Sequence, residues 1–257
     1  MLRTAAIAIT ALTSSTAAVT SAAAEAPREA EPSGEITVSA AASLTDSFTE
    51  IGERFERRYD DVDVTFNFDA SSALVIQIQQ GAPVDVFASA DEANMQKLVD
   101  GGEVTARPEV FAENTLEIAT KPGNPERIGS LADLEKVDTV ALCAPEVPCG
   151  KYAADALAAA GVELDPDRVT RGVDAKATLA AVSEGDADAA IVYRTDVRAA
   201  GSDVEGVAIA QSQNQIAVYP IAPLADASNP RAAKAFVDFV TSKTGERVLQ
   251  KHGFRVP

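Results

Sequence analysis

Tryptophan is absent from this chain of 257 residues, which carries only 4 Tyr, 9 Phe, 2 Met, 2 Cys and a single His. With so few aromatics, any interior must rest on Ala, Val, Leu and Ile. The lone imidazole, His252, reads as a surface residue near the C-terminus. Without a second His, neither a Ser-His-Asp nor a Cys-His relay has its usual base elsewhere in the chain. Two Cys and one His give no zinc-ligand spacing. Glycine-rich phosphate motifs of the G-x-G-x-x-G and P-loop types are missing as well. Positive charge is the other scarcity. Lys and Arg number 22 against 39 Asp and Glu, a formal net charge of −17. Such a balance disfavours nucleic acid and anionic membrane surfaces, whose phosphates need Lys and Arg, and it favours solubility. The many carboxylates read as a solvated acidic face.

Hydrophobic residues make up 46% and charged residues 24%, which suits a folded globular body. The length allows one large domain or two modest lobes. The N-terminus reads as an export signal over residues 1–24. Arg3 supplies a short positive start, Ala5 to Val19 are apolar or small, and Ala22-Ala23-Ala24 offers a small-residue cleavage site before Glu25. The stretch is too short and too polar for a transmembrane span, and it holds no Cys for lipid attachment. Loss of Arg3 with the signal would take the charge from −17 to −18. Residues 25–34 read as a flexible linker. Export favours a disulfide between Cys143 and Cys149 over two free thiols.

From Ile36 onward strands and helices alternate. Strands are expected at Ile36–Ala40, Val62–Phe68, Val84–Ala88, Leu116–Thr120, Thr139–Leu142, Ala189–Tyr193 and Ile216–Pro220. Helices are expected at Leu44–Tyr59, Ser72–Gln80, Asp91–Val99, Leu131–Leu134, Tyr152–Ala160 and Ala177–Ser183, with one or two more in Pro230–His252. That alternation is the signature of an α/β fold with mainly parallel sheets. Four segments share one design, a strand or turn, a small or polar residue, then a helix. They centre on Ser43, on Ser71 and Ser72, on Cys149, and on Asp174 and Ala175. The plain reading of each is helix capping, with Asp46 completing a capping box from Ser43. The functional reading is that helix N-termini converge on an anion, where free N–H groups and the helix dipole both suit negative charge. Small residues at the turns would let the backbone approach it.

The segment Ile36-Thr37-Val38-Ser39-Ala40-Ala41-Ala42-Ser43-Leu44 resembles the opening strand and first anion-binding turn of the periplasmic molybdate-binding proteins of ABC transporters. Gly81-Ala82-Pro83-Val84-Asp85-Val86-Phe87-Ala88-Ser89-Ala90-Asp91 is similar to a second motif of that family. Further similarities are Ala70-Ser71-Ser72, Pro145 to Ala153, Ala190-Ile191-Val192-Tyr193 and His252-Gly253-Phe254. They run in family order over residues 36–254.

The resemblance implies a two-lobed type II periplasmic-binding-protein fold, each lobe a mostly parallel sheet flanked by helices, with the ligand in the cleft. Lobe 1 would be discontinuous, residues 35–117 and 219–257, and lobe 2 would hold 118–218. The chain would cross between them near Leu116–Thr120 and Ile216–Pro220. The implied function is extracytoplasmic capture of molybdate or tungstate and delivery to the membrane permease of an ABC transporter, by a monomeric protein with no cofactor and no catalysis. The implied ligand set is Ser43 and Ser71, Cys149 and Ala175 through their backbone N–H groups, and the Tyr193 hydroxyl. Molybdenum would be held as the oxyanion through those same groups. Asp69 stands where the family has a small neutral residue, so its carboxylate is expected to turn outward or to cap a helix. Cys149 replaces a common Ala, and Ala175 a common Val. Alternatives are a binding protein for another oxyanion such as sulfate or phosphate, an enzyme on the same fold, and the sensing domain of a regulator.

Overall fold

Eight residues of alternating and then continuous burial, Gly34–Ala41, form strand β1, an interior strand of the first sheet region. The computed structural model describes residues 31–257. The export segment 1–24, and the linker expected at 25–34 save for its last four residues, lie outside the described residues. Strands β2 (Val62–Asp69) and β3 (Val86–Ala88) flank β1, both parallel to it. Strand β9 (Ile216–Pro223) runs antiparallel to β3, and Glu109–Thr115 of β4 (Glu109–Thr120) runs antiparallel to β9. At Leu116 the same β4 changes partners. Its second half pairs with β7 (Ala189–Tyr193) and β8 (Glu205–Ala208), and β7 continues through the parallel β5 (Val140–Cys143) to β6 (Val169–Gly172). One strand therefore belongs to both sheet regions, and β9 is the second strand at the junction. The β4 strand starts seven residues before the expected Leu116, and β9 runs three residues past Pro220.

The helices differ from expectation mainly at their starts. Helix α1 (Thr45–Glu56) follows a single tight turn at Ala42–Leu44, and no side chain caps it. Helix α2 spans Ser71–Gln79 and α3 spans Glu92–Gly101, the latter capped by Asp91 accepting from the Asn94 N–H. Helix α4 begins at Pro148, four residues before the expected Tyr152, because a proline at the first helical position costs no hydrogen bond. Helix α5 (Ala175–Ser183) takes Asp174 as its cap, and α6 (Arg194–Ala200) follows β7 directly. Helices α7 (Pro230–Val240) and α8 (Lys243–Lys251) close the chain. Strands β6 and β8 and helix α6 were not anticipated, since each is short and carries polar residues that mask its period.

The scarce aromatics are concentrated on one side of the junction. Phe48 and Phe55 of α1 and Phe236 of α7 meet edge to face under the first sheet, with Phe66 and Phe111 against them. Such pairs add roughly 0.5–1.5 kcal/mol each beyond the area they bury. The second region packs Ala, Val and Leu instead, and there Cys143 and Cys149 are joined in a disulfide with a Cα separation of 5.8 Å. The bridge ties the end of β5 to the first turn of α4. His252 is half-buried and meets the Glu50 carboxylate at 2.8 Å, one of three cationic or polar partners that hold Glu50 down to about pKa 2.

Candidate functional site

The C-terminal ends of β1, β2 and β7 all open toward one small buried hollow. Helices α1, α2, α4, α5 and α6 start around it. This is the crevice where open α/β sheets place ligands. Its lining includes Ser43, Ser71, Cys149, Ala175 and Tyr193, so the five residues singled out from sequence come together despite spanning 150 positions. Ala42, Asp69, Ala90, Pro148 and Asp174 complete much of the wall. The space left for the centre of a water-sized sphere is only about 10 Å³, close to the minimum for one small occupant.

Each residue arrives by a different local route. Ser71 is the first residue of α2, Ala175 the first of α5 and Cys149 the second of α4. Their backbone N–H groups belong to first turns and have no acceptor within their own helix. The small side chains at these positions leave that backbone accessible. Capping does not account for the two serines. The Ser71 hydroxyl accepts from the Ala90 N–H at 3.0 Å, and the Ser43 hydroxyl meets the Tyr219 hydroxyl at 2.9 Å. Asp46 does not close a capping box on Ser43; it pairs with Lys176 at 3.1 Å. Tyr193 is 1% exposed, and its hydroxyl has no protein partner. Leaving such a group unpaired costs about 1–3 kcal/mol, and this hydroxyl belongs to a residue on the wall of the hollow. Burial pushes the Tyr193 phenol well above its ordinary pKa, keeping the proton in place.

Asp69 lines the hollow, yet its carboxylate is occupied. One oxygen accepts from the Ala70 N–H at 2.7 Å and the other from the Gln77 amide at 3.3 Å. The carboxylate is thus engaged by the residue that precedes α2 and by the seventh residue of that helix. Two lysines flank the hollow at helix starts, and both are neutralised by carboxylates from the other sheet region. Lys176 meets Asp46, and Lys151 meets Asp91 at 3.6 Å. The wall is therefore rich in neutral donors and carries no unmatched cation.

Asp196 was not anticipated from sequence. It sits fully buried in the first turn of α6 and accepts from the Tyr193 N–H at 3.2 Å. Burial lifts its pKa to about 7. The Tyr193 N–H and Lys176 oppose the lift, and Asp174 and Asp46 add to it. A carboxyl raised in the folded state binds more protons there than in the unfolded chain. Its contribution is therefore fully present below about pH 4 and is lost as pH rises through about 7. Asp196→Asn keeps an acceptor for Tyr193 and removes the titration. Melting temperatures at pH 5 and pH 8 should differ less in this variant than in the parent chain; equal differences would show that Asp196 is ionised throughout.

Comparison with known proteins follows the same lines. The family model for bacterial extracellular solute-binding proteins matches residues 36–255. Molybdate-binding protein ModA of Mycobacterium tuberculosis is 40% identical over 223 residues, covering 86% of this chain and 85% of that protein. Among solved structures, the periplasmic molybdate-binding protein of Azotobacter vinelandii superposes with a TM-score of 0.78 at 19% identity, over 86% of this chain and 99% of that one. The sulfate-binding protein SubI of Mycobacterium tuberculosis gives 0.78 at 20% identity, over 87% of each chain. At these identities the two structures establish the fold alone, a mixed α/β sheet with flanking helices. No helix of the described residues is long and apolar enough to cross a membrane.

Proposed function

Because the chain belongs to the family of bacterial extracellular solute-binding proteins, we propose that it captures molybdate or tungstate outside the cytoplasmic membrane and delivers the oxyanion to the permease of an ABC transporter. The observation that carries this reading is the donor set of the hollow. Ser43, Ser71 and Tyr193 would give hydroxyl hydrogens, and Cys149 and Ala175 backbone N–H groups, to the oxygens of a tetrahedral dianion. The unpartnered Tyr193 hydroxyl is the group such a ligand would satisfy. Hydrogen bonds to a charged group contribute roughly 1.5–3 kcal/mol each, so five convergent donors support sub-micromolar affinity, about −8 kcal/mol or better. The acidic body repels an anion at long range, but that repulsion is screened beyond roughly 8–10 Å at ordinary salt. Fixed dipoles at short range then decide.

We assign residues 35–117 and 219–257 to one lobe and 118–218 to the other. The change of partner within β4 supports this division. On it, Ser43 and Ser71 come from the first lobe and the remaining three from the second, so closure would assemble the site. The pairs Lys176–Asp46 and Lys151–Asp91 would bridge the closed lobes. Residues 1–24 would direct export, and the protein would act as a monomer without cofactor. The role is binding and not catalysis: the hollow offers donors, and the one imidazole is held at Glu50.

A sulfate carrier is the second reading, favoured by the likeness to SubI. Molybdate and tungstate are nearly equal in size, and sulfate is smaller and would leave donors stretched. In a thermal-shift panel, molybdate and tungstate at about a thousand times their Kd should add about 4 kcal/mol, which is roughly 10 °C for a domain of this size. Sulfate, phosphate and citrate at the same concentration should shift the transition far less. Equal shifts for sulfate and molybdate would overturn the assignment.

A further inference from the structure

Behind Ser43 lies a chain of buried hydrogen bonds that reaches the strand junction. Asn114 of β4 is 2% exposed and Tyr219 of β9 is fully buried. The Asn114 amide is oriented by the neighbouring backbone, because its oxygen accepts from the Thr115 N–H at 2.9 Å. Its nitrogen is therefore the end that faces Thr195 and Tyr219. One hydrogen goes to the Thr195 hydroxyl oxygen at 2.8 Å and the other to the Tyr219 hydroxyl oxygen at 3.4 Å. An amide nitrogen can only donate. The Tyr219 oxygen thus receives a hydrogen, and its hydroxyl meets the Ser43 hydroxyl at 2.9 Å, a pair in which either oxygen could donate. With Tyr219 as the donor of that pair, Ser43 accepts and its own hydrogen is left for the hollow.

We infer that Asn114 and Tyr219 are positioning residues that fix the Ser43 hydroxyl as a donor toward the bound oxyanion. This rests on the reading of the hollow as an oxyanion site. The reverse polarity, Ser43 donating to Tyr219, would point serine lone pairs at a dianion. In a buried site of low local dielectric, that mismatch would weigh against the bound state. The other serine is polarised by simpler means: a backbone N–H, that of Ala90, can only donate to Ser71. Ser43 has no such amide and depends on the relay instead. The relay also carries information from the junction, since Asn114 sits where β4 pairs with β9 and bonds Thr195 at the start of α6. Burial raises the Tyr219 phenol above its ordinary pKa, so the relay keeps its proton at any working pH.

The test is a double-mutant cycle read by calorimetric titration with molybdate. Tyr219→Phe keeps the ring and its edge contacts with Phe111, Tyr193 and Phe254, and removes only the hydroxyl. Ser43→Ala should weaken binding roughly tenfold. Tyr219→Phe should weaken it by about three- to tenfold, and the double variant should match Ser43→Ala within about twofold, because residues acting through one another are not additive. Asn114→Leu, which removes the head of the relay, should behave as Tyr219→Phe does and serves if that variant folds poorly. Parent-like affinity in Tyr219→Phe beside a weakened Ser43→Ala would overturn the relay, as would losses that multiply in the double variant. Parent-like affinity in Ser43→Ala would instead overturn the oxyanion site itself.

Discussion

Replacing Tyr193 by Phe should weaken molybdate binding by roughly 10- to 100-fold while leaving the unliganded protein at least as stable as its parent. The two effects have opposite signs because the hydroxyl has one job. It is buried and unpartnered in the protein, so its removal deletes an unsatisfied donor, a gain of up to about 1–3 kcal/mol. The ring keeps its edge contact with Tyr219, centroid to centroid 5.9 Å, and hence its packing. In the bound state the same deletion strips a charge-assisted hydrogen bond from the oxyanion. Calorimetry for affinity and thermal melting without ligand separate the two. A variant that binds as tightly as the parent would remove Tyr193 from the ligand set. One that binds weakly only because it melts early would show a structural role.

Gly150→Ala should be damaging out of proportion to one methyl group. Gly150 lies in the first turn of α4, directly after Cys149. A Cβ there would collide with the carbonyl oxygen of Ala144 and lie 2.9 Å from that of Cys143. Both obstacles are backbone, and the disulfide holds the turn they belong to. Neither side can yield cheaply. A loss of about 1–3 kcal/mol of stability is expected, the usual cost of overpacking. Any relaxation must push α4 away from β5, carrying the Cys149 N–H out of the hollow, so affinity should fall as well. Thermal melting and titration check both; an Ala variant with parental melting temperature and affinity would show that the turn has slack that the structure does not display.

The candidate site was legible in the sequence to the extent that the hollow is lined by residues with local signals. Small residues before helical periods marked the turns at Ser43, Ser71, Cys149 and Ala175, and the family resemblance selected those turns and added Tyr193. Capping was the wrong local reading for the two serines, because their hydroxyls bond across the fold and not along the helix. Pro148 marks the earlier start of α4, because proline fits the first helical position, whereas the Ala-rich run after it carries only helix propensity. Asp69, a concern on sequence grounds because a carboxylate faces an anion, is resolved by two neighbours, Ala70 and Gln77, one of them eight residues away.

By itself, then, the sequence determined the alternation of strands and helices, the family, the small-residue turns and the acidic balance of charge. Those properties are carried by period, composition and short spacing, all readable along the chain. Only the tertiary structure decided which distant groups the side chains around the hollow meet. Ser43 meets Tyr219 across 176 positions, and Asn114 meets Thr195 across 81. Asp196 becomes a carboxyl with a pKa near 7 because the packing around α6 excludes water from it. Pairings between distant strands create these contacts, and nothing in the local sequence around Asn114, Asp196 or Tyr219 encodes their partners.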